Sequence, residues 1–307
     1  MGMLDGRVAI ITGAGRGIGA EIARLYVKEG AKVVVNDFGG NPDGTGGDAG
    51  PAAAIAEELN NSAGDKVAVS DAGDIADVET GERLVNAAVN DFGKLDIVVN
   101  VAGILRDRMM FNLSAEDWDA VIRVHLRGHY TTLRPATAYW REQRNPDGHY
   151  RVINFSSASG LHGSPGQPNY AAAKLGIVGL TMSLANGMHK YGVTSNAIAP
   201  GAATRLTATV PEEKRRTGAG SIEDDPTRSP ANVAPVCAYL ASDRSDWITG
   251  RTLSSSGYRV GMYNVPEEIS SIESQGPWQL DDLAAKMEKV FEPIADTGQL
   301  ARYAHQV

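Results

Sequence analysis

The aliphatic run Val8-Ala9-Ile10-Ile11-Thr12 passes without a break into Gly13-Ala14-Gly15-Arg16-Gly17-Ile18-Gly19, and from there into a helical pattern over 17–29. A strand buried on both faces, followed by a glycine turn and a helix, opens a βαβ unit and commits the chain to a parallel sheet. Two spacings fit the turn: GxxxGxG through Gly13, Gly17 and Gly19, and GxGxxA through Gly15, Gly17 and Ala20. In either, absent Cβ atoms let backbone N–H groups and the positive helix end, with Arg16 and Ile18 between the glycines, approach an anion such as a pyrophosphate. A glycine turn can also be purely structural; its place after the first strand favours the ligand.

The rest of the chain keeps the rhythm. Strands are expected at Lys32–Asn36, Lys66–Val69, Asp96–Asn100, Arg151–Phe155, Thr194–Ala199 and Arg251–Ser254. Helical patterns lie between them near 51–60, 78–91, 115–140, 169–190 and 230–241. The expected fold is α/β: a single doubly wound, Rossmann-like domain with a parallel sheet of about seven strands and helices on both faces. Two regions break the pattern. Gly39–Gly50 is a Gly/Asp-rich loop, and the polar stretch 202–229 is placed where a mobile lid would be useful. The expected catalytic domain is 1–257. The tail 258–307, with Trp278 and a helical pattern at Leu280–Phe291, is expected to pack on that domain or on a second subunit.

Length and composition exclude several classes of function. A chain of 307 residues, 42% hydrophobic and 21% charged, can bury a sizeable core. Its net charge of −8 argues against a nucleic-acid partner, which would need clustered Lys and Arg. No run approaches the length of a membrane span, and Met1–Arg7 carries no apolar signal core, so the expected address is cytoplasmic. The single cysteine, Cys237, sits in an apolar helical stretch and reads as packing, and no histidine has metal-ligand spacing.

The second strand ends in Asp37, where an acidic side chain accepts hydrogen bonds from adenine-ribose hydroxyls and repels a 2′-phosphate, so NAD is expected over NADP. A helix cap or loop role is the plainer alternative. After the third strand Asp74 and Ile75 are placed to hold an adenine, a solvated loop being the other reading. Asn100, Ala102 and Gly103 follow the fourth strand, where small residues let the cofactor's sugars approach the backbone.

Tyr170 and Lys174 share one face of a helix. A free phenol titrates near 10, too high for acid–base work at neutral pH. The expectation is that the neighbouring ammonium, with an oxidised nicotinamide, lowers it. Ser157, after the fifth strand, is placed to donate a hydrogen bond to a substrate oxygen while Tyr170 moves the proton.

Together, Thr12–Gly19, Asn100–Gly103, Ser157, Tyr170-xxx-Lys174 and Pro200-Gly201 resemble the motif series of the short-chain dehydrogenase/reductase family over roughly 5–257. The resemblance implies a nicotinamide-dependent oxidoreductase with Ser157, Tyr170 and Lys174 catalytic, and Lys174 also on the nicotinamide ribose. It implies Pro200, Gly201 and Thr204 around the carboxamide, and a homodimer or homotetramer. One departure is His125, at the place of a helical Asn that many members use in a proton relay; it either takes over that relay or packs within its helix. A narrower resemblance rests on 33–40, 102–108, Val124–Gly128 and Ser156–Gly160, which are similar to the (3R)-hydroxyacyl-CoA dehydrogenase unit of peroxisomal multifunctional β-oxidation enzymes. It implies a free-standing relative acting on an acyl-CoA thioester, with Arg106 and Arg108 either meeting a CoA phosphate or forming surface salt bridges. The alternatives are a hydroxysteroid dehydrogenase, a 3-oxoacyl carrier-protein reductase and a non-catalytic NAD-binding protein.

Overall fold

The computed structural model describes residues 2–202 and 225–295. Through Tyr263 the chain forms one compact unit, and from Asn264 a second, smaller one. The first is built on an eight-stranded sheet of order β3-β2-β1-β4-β5-β6-β7-β8. The strands are β1 (Val8–Thr12), β2 (Lys32–Asn36), β3 (Ala68–Asp71), β4 (Ile97–Asn100), β5 (Tyr150–Phe155), β6 (Val193–Gly201), β7 (Thr252–Ser256) and β8 (Arg259–Met262). β1 to β7 pair in parallel, and β8 turns back antiparallel on β7. That eighth strand falls in the stretch assigned to the tail, since four residues with one aliphatic side chain carry too little periodicity to announce a strand.

Alternate residues of each strand leave on opposite faces, and two cores follow. On one face Ala9, Ile11, Val33, Val35, Ile97 and Val99 pack with Ile22 and Tyr26 of α1 (Gly17–Lys28) and Ile55 and Leu59 of α2 (Gly50–Ala63). On the other, Val8, Ile10, Val34 and Val98 pack with Leu84 of α3 (Val78–Phe92). Trp140, fully buried in that second core, donates from Nε1 to the Leu95 carbonyl at 2.8 Å.

The helix expected over 115–140 is interrupted. α4 (Ala115–Ile122) passes through a π-helical turn, Arg123–Arg127, before α5 (Gly128–Gln143). The π turn inserts one extra residue between the two helices. β3 begins at Ala68; the Asn60 side-chain oxygen accepts from the N–H groups of Val67 and Ala68, both at 2.8 Å, while the Val67 carbonyl still accepts from the Val33 N–H of β2. The short α6 (Ala158–His162) and long α7 (Pro168–Met188) follow β5, and α8 (Ala234–Ala241) precedes β7. The segment 202–229, expected as a lid, lies largely outside the described residues; within it Pro226–Arg228 forms a 3-10 turn. In the second unit α9 (Leu280–Val290) and α10 (Glu292–Ala295) follow each other, and the Lys286 ammonium lies 4.9 Å from the Trp278 ring centre.

The chain runs β1 to β3 in one direction and returns to β4 on the other side of β1. This reversal leaves a crevice at the carboxyl ends of β1 and β4, where open α/β sheets bind ligands. Thr12 pairs with both Asn36 and Asn100, so the glycine turn, Asp37 and Val101–Gly103 leave the sheet at one edge.

Candidate active site

A cleft of about 510 Å³ opens at that edge. The Thr12 hydroxyl accepts from the N–H groups of Val101 (3.1 Å) and Ala102 (3.2 Å), drawing the two strand ends together. Gly13, at φ +63°, permits this: a Cβ there would lie 2.7 Å from the Ala102 Cα. Gly15 donates its N–H to the Asp37 carboxylate at 2.9 Å, and a Cβ on Gly15 would meet that carboxylate at 2.9 Å. The other Asp37 oxygen accepts from the Gly39 N–H at 2.7 Å, which fixes the side chain at the cleft wall. α1 begins with no capping side chain and no acid in its first turn, leaving its first N–H groups free for an anion. A turn without Cβ atoms, an uncapped helix start with Arg16 beside it and a pinned acid one strand away fit a dinucleotide: pyrophosphate on the turn, adenine ribose on Asp37.

Gly13, Arg16, Gly17, Ile18 and Gly19 line the cleft, as do Asp74, Ile75, Ala102, Gly103 and Pro200. Asp74 is already held by Arg123 at 2.6 Å and by the Ala76 N–H at 2.9 Å. Three expected cofactor residues lie off the cleft wall: Asn100, Gly201, and Gly15, whose N–H is taken by Asp37. Asn100 does not line the cleft: its side chain is buried, donating to Asn154 at 3.1 Å and accepting from Thr132 at 2.8 Å, so it braces adjacent strand ends instead. Gly201 is also absent from the wall, which Pro200 and Ala202 form, because its Cα lies toward Ser256. Thr204 lies outside the described residues.

Ser157, Tyr170, Lys174 and His125 line the same cleft as the glycine turn. α7 starts at Pro168, whose fixed φ suits a first turn, and the Asn169 side chain accepts the Tyr170 N–H at 2.8 Å. Asn169 in turn donates to the carbonyls of Arg106 (3.1 Å) and Asp117 (3.2 Å), tying the start of α7 to the loop after β4. One turn on, the Lys174 ammonium donates to the Phe155 carbonyl at 2.6 Å and sits 5.5 Å from the Tyr170 ring centre.

In the free chain burial dominates the electrostatics of both groups. Burial pushes the Tyr170 phenol up to about 12, with a hydrogen bond from the Ser157 side chain working against the rise and the Asp107 carboxylate adding to it. Burial also lowers the Lys174 ammonium to about 7, so near neutral pH it is only partly protonated in the free chain.

His125 sits in the π turn, buried, its ring edge-on to Tyr170 with centres 5.1 Å apart and planes at 87°. Its Nε2 lies 2.8 Å from the Ile104 carbonyl and 3.1 Å from the Ile104 N–H. Nε2 donates to that carbonyl in one tautomer and accepts from that N–H in the other, and Nδ1 is buried without a partner. Burial, and secondarily Lys174, hold the ring's pKa well below its ordinary value, so it is neutral. A Cβ on Gly103 would lie 2.3 Å from the His125 Cε1, so the imidazole fills the space a side chain at 103 would take.

Other wall residues escape sequence reasoning. Phe38, and Asn41 and Pro42 of the glycine-rich insert, join the cleft wall, and Leu105 donates its N–H to the Pro42 carbonyl at 2.9 Å. The position of these three just after Asp37 was the available signal. Ser159 and Gln167 also line the cleft, and their adjacency to Ser157 and Tyr170 in sequence was the only hint. Arg106 is spent on Asp117 (3.3 Å) and the Asp43 carbonyl (2.8 Å), a salt bridge and a loop tie.

A doubly wound sheet whose switch-point crevice joins an anion-binding glycine turn to a phenol, a hydroxyl and a buried lysine defines a dinucleotide-dependent oxidoreductase. The family model described as short chain dehydrogenase matches residues 7–215, and the chain belongs to that family, whose cofactor is a nicotinamide dinucleotide. It is 41% identical over 295 residues to the hydroxyacyl-CoA dehydrogenase ChsB1 of Mycobacterium tuberculosis, covering 94% of this chain and 89% of that protein. It is 45% identical over 240 residues to the peroxisomal multifunctional enzyme type 2 of Mus musculus, covering 78% of this chain and 30% of that much longer enzyme. Among solved structures, a short chain dehydrogenase from Mycobacterium avium superposes with a TM-score of 0.81 at 40% identity, covering 95% of this chain and 96% of that one. Among the described residues no helix is long and apolar enough to cross a membrane.

Proposed function

We propose that the chain is an NAD-dependent 3-hydroxyacyl-CoA dehydrogenase, interconverting a 3-hydroxyacyl and a 3-ketoacyl thioester. The observation that carries the reading is the single cleft in which Asp37, pinned by Gly15 and Gly39, shares a wall with Ser157, Tyr170 and Lys174. A carboxylate fixed where the adenine ribose binds favours two free ribose hydroxyls and disfavours a 2′-phosphate. The names of the relatives supply the substrate class.

When bound, the nicotinamide gives or takes the hydride. The chain's own residues manage the substrate oxygen and its proton. Ser157 donates a hydrogen bond to that oxygen, orienting the reacting carbon toward the cofactor. In reduction the Tyr170 hydroxyl delivers its proton to the oxygen; in oxidation it takes that proton back. A phenol held at about 12 is protonated at neutral pH, which suits proton delivery. Use as a base requires added positive charge nearby, from a charged Lys174 and an oxidised nicotinamide. Lys174, anchored on the Phe155 carbonyl, keeps further N–H groups for the ribose hydroxyls. His125, neutral, holds the Ile104 backbone and one edge of the Tyr170 ring.

The test is a turnover screen with acetoacetyl-CoA, longer 3-ketoacyl-CoA thioesters and a free ketosteroid, each with NADH and NADPH. Reduction of the thioesters with NADH is expected. Reduction of the ketosteroid with no thioester turned over, or a clear preference for NADPH, overturns the reading.

A further inference from the structure

Next to the reacting groups, three side chains form a directed chain of hydrogen bonds that the chemistry above does not use. The Ser159 hydroxyl donates to the Gln167 Oε1 at 2.9 Å, and the Gln167 Nε2 donates to an Asp107 carboxylate oxygen at 2.8 Å. A carboxylate only accepts, so Asp107 sets which way the Gln167 amide faces: nitrogen toward Asp107, oxygen toward Ser159. Gln167 then takes the only proton the Ser159 hydroxyl has to give. Ser159 and Gln167 line the cleft, while Asp107 stands behind the wall, its second carboxylate oxygen buried without a partner. The Ser159 oxygen is therefore left as an acceptor on the cleft surface.

We propose that Ser159, oriented through Gln167 and Asp107, is a specificity-determining subsite that accepts a hydrogen bond from an N–H on the carrier arm of the substrate. The proposal rests on the thioester reading above and says which part of the thioester the subsite holds. A 3-ketoacyl thioester has no donor between its reacting carbon and the sulfur. The first donor beyond is the secondary amide of the pantetheine arm, two carbons past the sulfur. Ser159 is two residues from Ser157, whose side chain accepts the Ser159 N–H at 3.1 Å. Two residues span at most about 7 Å of chain, a separation that a short thioester arm, bent between the two serines, can bridge. A fixed acceptor recognises an N–H and discriminates against an analogue without it, because Ser159 then goes unpaired in the complex.

The experiment compares two acetoacetyl thioesters of the same shape with NADH: one carried on N-acetylcysteamine, and one on its ester analogue, in which an oxygen replaces the amide N–H. The readout is the ratio of kcat/KM, amide to ester, measured on one enzyme at a time so that any general loss of activity cancels. The wild-type ratio is expected to be roughly two- to tenfold, the range of a single hydrogen bond to a neutral group. Ser159→Ala should bring it to near one, Ser159→Thr should restore it, and Asp107→Asn, which frees the amide to reverse, should lower it. A wild-type ratio near one, or a ratio unmoved by Ser159→Ala, overturns the subsite while leaving the thioester reading standing. No turnover of either thioester beside a reduced free ketone takes down both.

Discussion

At Tyr170 the balance between burial and hydrogen bonding sets the chemistry. Replacing the phenol by Phe removes the proton donor but little of the packing, so Tyr170→Phe should cut kcat by roughly 10²- to 10⁴-fold, while NADH binding, followed by fluorescence titration, changes little. Unchanged turnover would remove Tyr170 from the reaction. Lys174 carries a measurable pH signature. Its folded pKa of about 7 lies below the ordinary 10.5, so between these values the unfolded chain holds more protons and stability from this group rises with pH. The stability advantage of Lys174→Met over the wild type should be largest at and below pH 7 and shrink as pH is raised toward 10.5; denaturant melts of the dinucleotide-free protein at several pH values read this directly. A flat difference would mean that Lys174 is not buried as a cation's cost requires. At Asp37, hydrogen bonds to a charged acceptor contribute roughly 1.5–3 kcal/mol. Asp37→Ala should therefore raise the KM for NADH roughly ten- to a hundred-fold and narrow the gap to NADPH.

At the scale of elements, the loop after β4 is the joint of the site. It is held by the glycine-rich insert through Pro42 and Asp43, by the π turn through His125, and by the start of α7 through Asn169. Gly103→Ala would place a methyl 2.3 Å from the His125 ring, and neither the buried ring nor the strand end has room to give. The ring must leave its edge contact with Tyr170, so kcat should fall with NADH affinity less affected; equal kcat in the variant would show that the His125 contact is incidental. These ties also mark where reading from sequence stopped. Ser157, Tyr170 and Lys174 are announced by spacing, since a strand end and one helix turn fix their relation. The insert, Ser159 and Gln167 join the wall only because separate loops meet in space, and no local pattern encodes that meeting.

For the whole molecule, the cleft lies between elements from both halves of the sheet, so a bound dinucleotide fastens those halves together. Ligand that binds only the folded chain stabilises it by mass action, about 2.7 kcal/mol at a hundred times its Kd. NADH at saturating concentration should raise the Tm by several degrees, and NADPH at the same concentration by less. Equal shifts would mean that Asp37 does not discriminate.

The sequence by itself determined the doubly wound sheet, the glycine turn and the pairing of Tyr170 with Lys174, because strands buried on both faces and residues one helix turn apart are properties of neighbouring positions. It did not give Asn100, Tyr170 and Lys174 their surroundings. Those only the tertiary structure decided. Asn100 turns to its strand neighbours, and burial, which depends on everything packed around a group, raises Tyr170 and lowers Lys174 together. The π turn that brings His125 to Ile104 belongs to the same class, as contacts across the fold hold its extra residue.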